Sequence, residues 1–298
     1  MVCIESLASD SSIITTYDIL SAISKHADTA AILLLPGIQY YTGQLFEMHT
    51  ITPFAHKHGV FVIWDLAHAV GNVPLKLHDW GVDAAAWCSY KYLNGGPGCI
   101  GGIFVHERNS QASGKDANVE PSMFDEALAV PRRLGGWWGN AKSSRFEMAT
   151  KPGFQPVSGA AGFQLSNPSV LDITSLCSSL EVFEQAGGMG ALRQKSLRLT
   201  GYLEALLKNM PGDKLEMFHI MTPEDPEQRG AQLSILLQDS AAEGRMLEVV
   251  VKGLEKRGVI VDERKPNVIR VAPAPLYNTF SDVFGFVRAF GEALGEAK

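Results

Sequence analysis

The sequence predicts an α/β protein with a mainly parallel sheet in its first half and a small α/β unit in its second. Three observations carry that expectation. AAILLL (30–35), VFVIW (60–64) and AAAWC (84–88) are short unbroken apolar runs, the signature of strands buried on both faces. A helical stretch separates the first two, which implies strand–helix–strand units with right-handed crossovers. From about Asn167 the rhythm changes to longer helical segments alternating with short strands.

In chain order, the first helix carries Met48, Ile51 and Ala55 on one face and stops at Gly59. Pro53 either kinks it or opens its regular part after Thr52. GGIFVH (101–106) reads as a further strand. From 107 to about 165 the sequence is irregular and rich in Gly, Pro and Trp, as expected of loops and short helices covering a site. Helices are expected at roughly 170–186, 189–209, 242–257 and 280–295, with strands at 232–237, 259–261 and 268–271. The resulting division places one domain at residues 1–160 and a smaller C-terminal domain at 161–298.

Composition narrows the class. The chain has 298 residues, 46% hydrophobic and 19% charged, which is globular composition. Twenty-six Lys plus Arg against 32 Asp plus Glu give a net charge of -6, and no basic run marks a nucleic-acid surface. Cys3, Cys88, Cys99 and Cys177 are scattered, which fits a reducing compartment better than a disulfide scaffold. The N-terminus lacks signal-peptide organisation and no apolar run approaches a membrane span. A soluble cytoplasmic protein is expected.

Two segments carry chemistry. FVIWDLAHAVGN (61–72) sets Asp65 immediately after a buried strand, with His68 three residues on. Ligands of open α/β sheets bind at the carboxyl ends of the strands, so Asp65 stands where a cofactor would lie. WCSYKYLNGGPG (87–98) brings Ser89, Tyr90 and Lys91 to the same edge from a neighbouring strand end. A cofactor aldehyde could link to Lys91 while a ring nitrogen meets Asp65, whose charge keeps that nitrogen protonated. Taken singly, each residue has a bland alternative: Asp65 as a turn cap, Lys91 as a solvated surface amine.

Two other patterns are set aside. Gly96, Gly98 and Gly101 spell G-x-G-x-x-G, yet they run into a strand instead of opening a helix, so they form no dinucleotide site. His56, His58, His68 and His78 suggest a metal, but residues two apart on a helix face different sides, and no ligand set is expected.

DLAHAVGN, HDWGVDAAAWCSYKYLNGGPG, QLSNP and IRVAPAPLYN together resemble kynureninase, a fold type I pyridoxal 5'-phosphate enzyme, from about residue 28 to the C-terminus. D-x-A-H with a downstream lysine is shared with cysteine desulfurases and aminotransferases; the longer HDWGVD…WCSYKYLN stretch is specific to kynureninases. The resemblance implies hydrolysis of the Cβ–Cγ bond of kynurenine or 3-hydroxykynurenine, giving alanine and anthranilate or its 3-hydroxy form. It also implies a place in tryptophan catabolism toward NAD, and a homodimer.

It further implies roles for individual residues. Lys91 would be the Schiff-base lysine and Asp65 the partner of the ring nitrogen, with His68 lining the cofactor. Tyr90 would reach the phosphate and take part in proton transfer. Trp137, in LGGWWGN, and Asn167, in QLSNP, would contact cofactor or substrate, partly across the dimer interface. Arg270, in IRVAP, would clamp the substrate carboxylate. Independently, Arg270 stands in a strand between Ile269 and Val271 and points opposite to them, and a planar guanidinium suits a bidentate carboxylate grip. The alternatives are a surface strand arginine, aromatic packing for Trp137, and a helix start for Asn167 before Pro168.

Departures from the family pattern also matter. Pro36 supplies no hydroxyl for the cofactor phosphate. The family's upstream strands, phosphate loop and ring-stacking aromatic have no counterpart, so an N-terminally truncated chain is expected, with an exposed edge and exposed apolar faces on AAILLL. Two other readings stand beside the hydrolase. One is a catalytically silent remnant that pairs with an intact homologue. The other is a cysteine desulfurase, for which Cys177 is the only nucleophile candidate after the lysine, and it lies in a helical pattern.

Overall fold

The computed structural model describes residues 1–6, 12–110, 135–147, 154–238 and 245–297. Much of the irregular stretch expected from 107 to about 165, and the start of the helix expected at 242–257, lie outside the described residues.

The first sheet has the order β1-β2-β3-β4, with β1 (Ile32–Pro36), β2 (Phe61–Asp65), β3 (Ala84–Cys88) and β4 (Gly101–Val105). The first three are parallel; β4 runs antiparallel on β3. Pairing of Pro36 with Asp65, and of Asp65 with Ala86, aligns three carboxyl ends along one edge. Helix α1 (Thr16–His26) opens with a capping box between Thr15 and Asp18. Helix α2 (Met48–Lys57) buries Met48, Ile51, Thr52 and Ala55, and holds Pro53 in its interior, so Pro53 does not begin the helix. Trp64, fully buried on β2, donates its indole N–H to Thr52 Oγ1 at 3.0 Å. A short helix, α3 (Glu107–Ser110), follows β4.

At the sheet's opposite end Asp83 accepts from the Val62 N–H at 2.8 Å, His56 Nε2 at 2.7 Å, Asn109 Nδ2 at 2.9 Å and the Arg108 guanidinium. Burial pushes its carboxyl up, but these donors outweigh that and hold it at about 2. His58 caps α2, and His78 stacks on His106 with ring centroids 4.8 Å apart. The sequence's histidines therefore serve separate local contacts.

The second sheet is wholly antiparallel, in the order β5 (Phe218–Ile220), β6 (Leu233–Leu237), β8 (Val268–Val271), β7 (Asp262–Arg264). Around it pack α5 (Gly188–Lys208), α6 (Gly212–Leu215), α7 (Arg245–Glu255) and α8 (Phe280–Glu296), while α4 (Val170–Gln185) packs on α5. Helix α7 buries Met246, Leu247, Val250 and Leu254, the spacing of one apolar stripe. This stripe joins Leu199, Leu203, Ile235, Ile269 and Phe290 in a core distinct from the one around Trp64. The strand expected at 259–261 forms three residues later, at β7, where the backbone meets β8.

A polar seam joins the two sheets. The Tyr40 carbonyl accepts from Gln232 Nε2 at 3.1 Å, and the Thr42 carbonyl accepts from Thr222 Oγ1 at 2.5 Å. Fully buried Asn72 donates to the His68 carbonyl at 2.9 Å and accepts from the Ala231 N–H at 3.0 Å. Gly230 leaves Asn72 its room, for a Cβ there would stand 2.5 Å from Asn72 Nδ2. The loop carrying His68 is thereby tied to the entry of β6.

Candidate active site

Asp65 ends β2 exposed at the edge, its Oδ1 accepting from the Ala67 N–H at 2.9 Å to close a tight turn. The turn hands the chain to His68. One strand over, Cys88 ends β3 and Lys91 follows in the next turn. Lys91 Nζ donates to Cys88 Sγ at 3.3 Å and stands 5.2 Å from the centroid of the Tyr90 ring, which is half exposed.

Burial and nearby charges act together on His68. His68 is lowered to about 4, first by burial, then by the charges of Lys91 and Arg270, with Asp65 opposing and Arg264 adding a little. Burial, helped by Lys91 and Arg270, thus keeps the imidazole neutral at physiological pH against the opposing charge of Asp65. Tyr92, the residue after the lysine, meets His68 edge-on at 6.4 Å between centroids. Burial pushes its hydroxyl up to about 12, with Arg270 opposing, so it stays protonated.

Arg270 reaches this cluster from β8. Its Nη1 donates to the Tyr40 carbonyl at 2.7 Å, Nη2 meets the carboxylate of Asp262, and Nε is buried with no partner. Burial draws the guanidinium below its ordinary value.

The lysine loop is braced from both sides. Ser179 and Ser175 of α4 donate to the Leu93 and Gly95 carbonyls at 2.6 and 2.8 Å. Gly71, at φ +75°, presses on the Tyr92 backbone, which a Cβ would meet at 2.9 Å.

The other two expected residues gather elsewhere. Trp137 opens a one-turn helix, Trp137–Gly139, and packs on Trp138 and Phe146 at 5.2 and 5.6 Å between centroids. Asn167 is exposed just before α4. Their segments pack together, since a Cβ on Gly136 would come 2.1 Å from the Leu165 carbonyl oxygen. Among the described residues, no contact joins either side chain to the Lys91 cluster.

Sequence reasoning missed Tyr40, Cys88, Tyr92 and Asp262. Tyr92 was within reach, because a loop that presents Tyr90 and Lys91 has room for the next aromatic. Tyr40 enters through its backbone carbonyl, which no sequence pattern signals. Cys177 lies exposed within α4, a regular helix, and not in the loop a desulfurase nucleophile needs.

Comparison with known proteins settles the ancestry. The chain is 64% identical over all 298 residues to Kynureninase 2 of Neurospora crassa. By sequence, the chain belongs to the kynureninase family. Kynureninase 1 of Chaetomium globosum is 62% identical over 97% of the chain. The kynureninase C-terminal domain matches residues 192–290, and aminotransferase class-V matches residues 7–126. The chain spans about 60% of the length of the curated kynureninases it matches: 60% of the Neurospora protein and 57% of the Chaetomium one.

In fold, the chain is similar to an apo cysteine desulfurase of Thermococcus onnurineus, with TM-score 0.69 and 17% identity over 93% of this chain and 63% of that one. A C-DES mutant with glycine covalently linked to its PLP cofactor gives the same TM-score and identity over 91% of this chain and 64% of that one. The fold is that of fold type I pyridoxal-phosphate enzymes. Among the described residues no helix is long and apolar enough to cross a membrane, and no three His, Cys, Asp or Glu converge on a metal position.

Proposed function

We propose that this chain carries the lysine half of a kynureninase site, which hydrolyses the Cβ–Cγ bond of kynurenine or 3-hydroxykynurenine with pyridoxal 5'-phosphate as cofactor. The observation that carries this reading is the placing of Asp65 and Lys91 at neighbouring strand ends on one sheet edge, beside a His68 held neutral chiefly by burial. The residues fit the cofactor. An amine for its aldehyde and a carboxylate for its ring nitrogen leave adjacent parallel strands at one edge, and Asp65 has an oxygen beyond the one that closes its own turn.

When bound, the cofactor supplies a conjugated ring that withdraws electrons from the substrate's α-carbon. The chain's residues do the rest. Lys91 Nζ would hold the cofactor through its aldehyde and would be the amine placed to accept a proton. Asp65 holds the proton on the ring nitrogen by its negative charge. His68 lines the cofactor without adding charge. Tyr90 contributes a hydroxyl to the phosphate and to proton transfer, whereas Pro36 at the end of β1 contributes none. Arg270 grips the substrate's α-carboxylate, for which its buried Nε is a donor without a partner.

Trp137 and Asn167, whose segments pack on each other, would serve the same site in a second copy, which supports a homodimer. The two separate cores support a division into a pyridoxal-phosphate domain, residues 1–160, and a small C-terminal domain, residues 161–298. Titrating the chain with pyridoxal phosphate while following its absorbance, alongside an assay for fluorescent anthranilate from kynurenine, tests the proposal. Saturable cofactor binding with anthranilate release supports it. Binding without release leaves the silent-remnant reading in its place.

A further inference from the structure

Asp262 and Arg270 are directly opposed on neighbouring antiparallel strands, β7 and β8. Their side chains meet, with Arg270 nine-tenths buried and Asp262 43% exposed. Asp262 has a second cation: Arg264 Nη1 donates to its Oδ1 at 2.6 Å. On the other side of Arg270, Nη1 is taken by the Tyr40 carbonyl at 2.7 Å, and Nε is buried without a partner. A carboxylate gripping a guanidinium side-on needs Nε together with Nη2. Nη2 already holds a carboxylate, that of Asp262.

We propose that Asp262 is an internal stand-in for the substrate's carboxylate, holding Arg270 until substrate arrives and then retreating onto Arg264. The inference rests on Arg270 as the carboxylate clamp and adds a residue that sets how tightly that clamp engages. Its physical basis is competition. Two carboxylates at one guanidinium repel, so the incoming one must displace the resident one. Displacement is cheap because Arg264 already bonds the other oxygen of Asp262 and the carboxylate faces solvent. Without a resident carboxylate a buried guanidinium would stand uncompensated, which is costly. The latch thus keeps Arg270 charged and in place between turnovers, at the expense of affinity.

This predicts opposite signs for two neighbouring substitutions. Asp262→Asn removes the competitor but keeps a hydrogen-bonding side chain, so kynurenine should bind about three- to tenfold more tightly, the range of one partly exposed charge pair. Arg264→Gln removes the retreat and leaves Asp262 on Arg270, so binding should weaken by a similar factor. In the Asp262→Asn background Arg264→Gln should have no effect.

The experiment measures KM and kcat with cofactor. It also follows the Arg270 Nε–H resonance of the cofactor-free 298-residue chain during kynurenine titration, the signal being assigned by its loss in Arg270→Lys. The expected result is a shift of that resonance with a lower half-saturation in Asp262→Asn, and a KM change with kcat nearly constant. Weaker binding in Asp262→Asn overturns the latch and makes Asp262 an orienting residue. If Arg270→Lys leaves KM unchanged, or the resonance ignores kynurenine to saturation, the clamp itself has failed, and the latch with it. Should Asp262→Asn not fold, as judged by its melting curve, Arg264→Gln decides alone: weaker binding supports the latch, and unchanged or tighter binding overturns it.

Discussion

Strands β1 and β6 are near-equals as sequence and opposites as structure. ILLLP and LSILL are both five-residue apolar strands. In β6 every residue but Leu236 is buried, and Ile235 is fully so. In β1, Ile32 is 59% and Leu34 64% exposed. The difference is neighbours: β6 lies between β5 and β8 beneath helices, while β1 is an edge whose outer side has no strand among the described residues. An apolar run reports that a strand is built to be covered, not that the cover is at hand. The same contrast divides the chemistry. The first sheet carries Asp65, His68 and Lys91 on strand-end turns, and the antiparallel second sheet brings one cation, Arg270, from within a strand.

The sharpest way to break that division of labour is Lys91→Ala. It should lower kcat by about three orders of magnitude or more, as loss of a covalent group does. Borohydride reduction with cofactor should then leave the protein mass unchanged, where the parent chain gains one cofactor. A reduced adduct in the variant would move the covalent link to another lysine.

Next in size is Asp65→Asn. Two pKa units of lost ring-nitrogen stabilisation are worth about 2.7 kcal/mol, so kcat should fall roughly a hundredfold while the melting temperature barely moves. Parent-like kcat would reduce Asp65 to a turn residue. From the other sheet, Arg270→Lys removes the planar grip, and loss of a charged hydrogen bond worth about 1.5–3 kcal/mol should lower kcat/KM by roughly ten- to a hundredfold. An effect on kcat with KM unchanged would place the carboxylate elsewhere.

Acid should find the two ends of the first sheet at different pH values. His68 stands near 4 when folded, against about 6.5 when unfolded. Between those values the unfolded chain binds more protons, so stability falls as pH drops through that window. Asp83, held near 2 against about 3.9 unfolded, loses its contribution only as pH falls further. His106 is also lowered and shares the upper window. His68→Asn should therefore flatten part, but not all, of the decline between about pH 6.5 and 4 in urea titrations. An unchanged slope would mean that His68 is solvated in the folded chain.

The sequence revealed some of these features and concealed others, for physical reasons. The apolar runs located β1, β2 and β3, and Asp65 and Lys91 followed from where those runs end. Periodicity placed α4, α5 and α8 within a residue or two. The direction of β4 was hidden, because a strand's sequence looks alike run either way. Strand β7 was placed too early because Val259 and Val261 have strand propensity; they pack on the second core as a connector, and pairing begins at Asp262. Helix α1 and β5 were not foreseen, the latter having only three residues. Arg270 was read from its alternation with Ile269 and Val271, yet its partners Tyr40 and Asp262 depend on how the sheets meet.

The smallest expected effect returns to the two strands. Ile235→Ala empties a fully buried site in β6 and should cost about 2–5 kcal/mol, with a matching loss of midpoint in urea. Leu34→Ala in β1 removes a side chain that is mostly in water already, so it should cost no more than about 0.5 kcal/mol. The measurement is a pair of urea titrations at two protein concentrations. If Leu34→Ala costs as much as Ile235→Ala and the cost grows with concentration, a second copy covers β1 in solution. If the cost is large at both concentrations, the cover comes from within the chain. A negligible cost with improved solubility leaves β1 as an open edge, where an exposed apolar strand invites pairing that Leu34→Lys should suppress by charge.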